Sequence, residues 1–98
     1  MPPLKLYTIK SKREDKEDYN TSYEFSSAEE VGKWLTDRCK CHPIKKYHII
    51  NYINGRVTNK HFNVLCVALD NYEIKSRKVK GFPSDFKEGR IMQSQVVG

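Results

Sequence analysis

The sequence predicts an α+β domain: an antiparallel β-sheet, made of a three-stranded meander in residues 45–80 plus an N-terminal strand, with one helix packed on one face. Three observations predict it. A capped, amphipathic segment begins at Ser26. Residues 45–80 are rich in β-branched and aromatic side chains and are broken by Asn54-Gly55 and Asp70-Asn71. The length, 98 residues, suits a single small basic domain over residues 1–98.

Leu4 to Lys10 alternates as a strand does. Residues 11–22 read as a mobile charged loop, with Lys12, Arg13 and Lys16 set among Glu14, Asp15, Glu17 and Asp18. Tyr23-Glu24-Phe25 is a short strand. The helix starts where Ser26 and Glu29 stand at capping-box spacing, with Glu29 and Glu30 in the first turn, where the helix dipole favours acids. Val31, Trp34 and Leu35 form its apolar stripe, Gly32 weakens it slightly, and it ends near Cys39, before Pro43. Lys45 to Ile53 reads as the first meander strand, and Asn54-Gly55 is suited to a two-residue type I′ hairpin. Val57 to Leu69 returns as a central strand, ending in the apolar run Val64 to Leu69. Asp70-Asn71 turns into a third strand, Tyr72 to Lys80. Residues 90–98 form a last edge strand or a frayed tail.

These turns imply a register. His48 opposes His61, His61 opposes Lys80, and Val67 opposes Ile74. Val31, Trp34 and Leu35 then pack on Leu65, Val67 and Ile74. On the opposite face Tyr47, Phe62 and Val79 make a row, ringed by Lys45, Lys60, Lys75 and Arg77.

The formal net charge is +6, concentrated in residues 33–60, which hold seven basic residues and one acid, Asp37. A local positive field attracts nucleic acid or an acidic protein surface. No apolar run approaches the ~18 residues of a membrane span, and no signal peptide is read at the start. The three cysteines, Cys39, Cys41 and Cys66, point to free thiols in a reducing compartment, so the expected location is the cytoplasm, or the host cytoplasm for a viral or phage protein. Cys66 lies in the apolar run and reads as a core thiol.

Exposed aromatic rings among cations suit bases that stack and phosphates that need neutralising. Lys45, Tyr47, Lys60, Phe62, Lys75 and Arg77 are therefore the candidate nucleic-acid-binding residues of a non-enzymatic module for RNA or single strands. One alternative is a small accessory protein of phage or virus type that docks on a protein partner, with Tyr19, Tyr23, Phe82 and Phe86 as an apolar patch. Another is a metal-free endoribonuclease with His48 and His61 as the acid–base pair and Lys80 as the stabilising cation. Cys39, Cys41 and His42 are weak metal candidates, because one residue separates the cysteines where zinc sites use two to four. There is no glycine-rich phosphate loop and no nucleophile elbow, and no cofactor is expected.

Overall fold

β1 spans Leu4–Ser11, and its alternation sets the two faces of a sheet. The computed structural model describes residues 4–56, 71–82 and 84–91. After β1 come β2 (Ser22–Phe25), α1 (Ala28–Cys39), α2 (Lys46–Ile53), β3 (Tyr72–Val79) and β4 (Arg90–Ile91). The strands form one antiparallel sheet in the order β3-β1-β2-β4. The fold is α+β, with both helices contributing to one core against the sheet. Among the described residues no helix is long and apolar enough to cross a membrane.

Successive side chains of a strand point to opposite faces. Tyr7 and Ile9 of β1 face the helices and sit opposite Phe25 and Tyr23 on β2, and opposite Ser76 and Ile74 on β3. Val31 and Leu35 from α1, together with Ile44 and Ile49, close the core from above. Trp34 is only half-buried. It packs on the core with its ring 4.9 Å from Tyr23, 5.9 Å from Phe25 and 6.2 Å from Tyr72, beneath the guanidinium of Arg38. The expected partner Ile74 is in place, whereas Leu65 and Val67 lie outside the described residues.

The α1 cap falls one residue later than the sequence suggests. Ser27 is the N-cap, and its hydroxyl accepts from the Glu30 N–H at 3.2 Å. Ser26 instead gives its backbone N–H to Glu88, at 3.0 Å, which ties the loop before β4 to the start of the helix. Gly32 has a packing role. A Cβ there would lie 2.3 Å from the carbonyl oxygen of Ile44. Thr36, one turn on, donates to the Gly32 carbonyl at 2.7 Å and accepts from the Ile44 N–H at 2.9 Å. The chain entering α2 is thus seated on a notch in α1.

The main correction concerns residues 45–53. They form α2, not the first strand of a meander. The isoleucines and Tyr47 and Tyr52 are strand formers by local propensity, but strand propensity is largely a matter of packing context. Ile44, His48 and Ile49 are buried while 45–47 are exposed, a helical and not an alternating pattern. Asn54-Gly55 correspondingly ends a helix. Gly55 has φ +72°, its N–H donates to the Tyr52 carbonyl, and the Arg56 N–H donates to the Asn51 carbonyl. That is a Schellman closure, which needs the same left-handed glycine as a type I′ turn. The third expected strand exists as β3 and pairs with β1. The second, Val57 to Leu69, and most of residues 90–98 lie outside the described residues, as does Cys66.

Among the described residues β4 is Arg90–Ile91, and Arg90 secures it. Arg90 Nε donates to Glu24 at 2.8 Å, and its Nη1 to Asp85 at 3.2 Å. Glu24 is 4% exposed, so this pair neutralises a buried carboxylate on the side of the sheet away from the helices.

Candidate polyanion-binding face

The helices cover the Tyr7–Ile9 side of the sheet, so the other side carries Leu6, Thr8 and Lys10 of β1, Ser22 and Glu24 of β2, and Glu73, Lys75 and Arg77 of β3. The Leu6 end of this face is buried, at 3% exposure. The other end is open. There Thr8, Lys10, Ser22, Glu73, Lys75 and Arg77 line a shallow concavity of about 370 Å³.

The register fixes how its charges meet. Thr8 lies opposite Lys75, Lys10 opposite Glu73, and Leu6 opposite Arg77. Lys75 and Arg77 are two residues apart on one strand, so their Cα atoms stand about 7 Å apart. Glu73 and Lys75 form an ion pair at 2.8 Å. That hydrogen bond holds the Glu73 carboxyl below its ordinary value and the Lys75 ammonium above its own, so both are charged at neutral pH. Arg77 and Lys10 have no carboxylate at ion-pair distance among the described residues. Lys10, Lys75 and Arg77 therefore line this concavity with one carboxylate, Glu73, while Glu24 on the same face is taken up by Arg90.

Lys75 and Arg77 occupy the sheet face away from α1 and α2, the face opposite the best helix that the sequence assigns them. Lys45 and Tyr47 do not. With 45–53 helical, Lys45 is the N-cap of α2 and Tyr47 projects from that helix, 54% exposed, its ring centroid 4.2 Å from that of His48. Lys60 and Phe62 lie outside the described residues, so the six do not come together as one observed site. Among the described residues the strands offer this face no aromatic ring. Thr8, Lys10 and Ser22 join it unanticipated, although the alternation of Leu4 to Lys10 already put Thr8 and Lys10 opposite Tyr7 and Ile9.

The proposed histidine row is corrected too. His48 is buried in α2, and its Nδ1 accepts from the Lys45 N–H at 2.9 Å, so it helps close the first turn of the helix. Lys80 is exposed just beyond β3. His61 lies outside the described residues. A row across three strands cannot form when one of the three is a helix. Cys39 and Cys41 are half-buried near the C-terminus of α1, with Cys39 Sγ 3.7 Å from the Tyr72 hydroxyl, and His42 is exposed. Among the described residues no group of three or more histidine, cysteine or acidic side chains is placed to hold a metal ion. Of the expected apolar loop patch, Tyr19 is exposed. Tyr23 is half-buried, its ring tilted against Trp34 and its hydroxyl donating to Asp18, and Phe82 and Phe86 are half-buried against each other at 5.0 Å. Comparison with known proteins finds no matching family model, no matching curated protein and no matching solved structure.

Proposed function

We propose that this chain is a non-enzymatic binding module for RNA or single-stranded nucleic acid, and that it holds the strand by its phosphates on the sheet face away from α1 and α2. The observation that carries the reading is the convergence of Lys10, Lys75 and Arg77 beside one carboxylate on an open face. Cations that track a phosphate backbone confer affinity without reading sequence. Thr8 and Ser22 line the same concavity, and hydroxyls suit phosphate or sugar oxygens.

Titration of a labelled mixed-sequence RNA and of an oligo-dT strand, followed by anisotropy at low salt, tests the proposal. The expected result is binding of both with similar affinity, weakened by K75A and by R77A. Absence of binding to either strand would reject it. A second reading, docking on a protein, draws on Tyr47 and Ile50, which are 54% and 39% exposed on α2. Capture from lysate with and without nuclease separates the two. A partner retained after nuclease and lost in Y47A supports docking on α2.

A further inference from the structure

On the helix-bearing side of the same end of the sheet lies a second concavity, of about 500 Å³, between the β1–β2 connection, the start of β3 and the last turn of α1. Arg13 and Lys16 from the connection and Arg38 from α1 bring three cations to it. Its deeper lining is polar: Ser11 is 1% and Tyr72 8% exposed. Cys39 and Asn71 complete it.

The walls are held by backbone hydrogen bonds. The Ser11 N–H donates to the Thr21 carbonyl at 3.1 Å, the Asn20 N–H to the Ser11 carbonyl at 2.8 Å, and the Lys12 N–H to the Asn71 carbonyl at 2.7 Å. The cations are oriented as well. Arg13 Nε donates to Asp15 at 2.9 Å, and Arg38 is fixed by Asp18 and lies 4.8 Å over the ring of Trp34. A guanidinium has five N–H donors, so each arginine keeps donors beyond those its aspartate uses. Lys16 has no carboxylate at ion-pair distance among the described residues, so its ammonium is available to a ligand. The volume falls within the range of small-molecule sites. Forked guanidinium donors beside an ammonium match a tetrahedral dianion.

We propose that this cleft binds a small phosphomonoester, with the phosphate held by Arg13, Lys16 and Arg38 above the Ser11 and Tyr72 hydroxyls. The site uses none of the residues of the sheet face and does not depend on that reading.

The test is titration of the full chain with inorganic phosphate, with adenosine 5′-monophosphate and with adenosine. It is followed by backbone amide shifts and by the emission of Trp34, the one tryptophan of the chain, which lies under Arg38. The two phosphate-bearing probes are expected to saturate, with shifts confined to residues 11–16, 38–39 and 71–72, and adenosine to give none. K16A, an exposed change, is expected to weaken binding about tenfold, the loss of one hydrogen bond to a charged group. K33A, on the outer face of α1, is expected to leave it unchanged. The proposal is overturned by no saturable response, by an equal response to adenosine, by K16A binding as tightly as the parent chain, or by shifts spread over lysines elsewhere.

Discussion

Replacing Gly32 by alanine sets two effects of opposite sign against each other. Gly32 lies inside α1, where alanine is favoured by about 1 kcal/mol on helix propensity alone. The added Cβ, however, would stand 2.3 Å from the Ile44 carbonyl oxygen, where ordinary contact begins at 3.4 Å, so the backbones must part by roughly an ångström. Ile44 is not free to retreat, because its N–H is held at 2.9 Å by Thr36, which itself bonds Gly32. Overpacking costs about 1–3 kcal/mol, and a buried hydrogen bond broken in the adjustment adds about 1 kcal/mol. After the propensity gain is subtracted, G32A should lose about 1–3 kcal/mol. Urea unfolding followed by Trp34 emission measures this as a lower midpoint at unchanged slope. A variant as stable as the parent, or more stable, would refute the claim that α1 and the start of α2 meet at this notch.

Other perturbations read out separate contacts. R90M strands the buried Glu24 carboxylate and should lower the urea midpoint; a change within error would mean that the Arg90 pair does not hold β4. Burial, and then the Cys39 contact, push the Tyr72 phenol above its ordinary value of 10.0, and burial does the same to Tyr23. The unfolded chain then releases these protons first. Stability should be fully present below about pH 10 and fall as pH rises beyond it, and Y72F should flatten part of that fall; an unchanged pH profile in Y72F would contradict the assignment.

How much of this was legible follows from which periodicity each segment carries. α1 was readable because its cap, its acidic first turn and its apolar stripe agree, and the cap moved by a single residue because Ser26 and Ser27 both stand three before a glutamate. β1 and β3 were readable because alternation survives in Tyr7/Ile9 and in Tyr72/Ile74 whichever strand lies alongside. That is why Lys75 and Arg77 reached the face away from α1 and α2 although the pairing expected for them was different. α2 was misread because Ile49, Ile50 and Ile53 favour strands locally, while the burial of Ile49 and Ile53 depends on α1 and the sheet, which no local window contains. The spacing Ile44, His48/Ile49, Tyr52/Ile53 was a helical signal within reach. Exchanging a period of two for one of 3.6 removed Lys45 and Tyr47 from the sheet and dissolved both the aromatic platform and the histidine row.

The central claim, that Lys10, Lys75 and Arg77 engage a phosphate backbone, is tested most directly by the salt dependence of oligonucleotide binding. Three contacts to a single strand predict that the logarithm of affinity falls with the logarithm of salt at a slope of about −2, and that R77A reduces it to about −1.4. A slope near zero, or one that K75A and R77A leave unchanged, would contradict it.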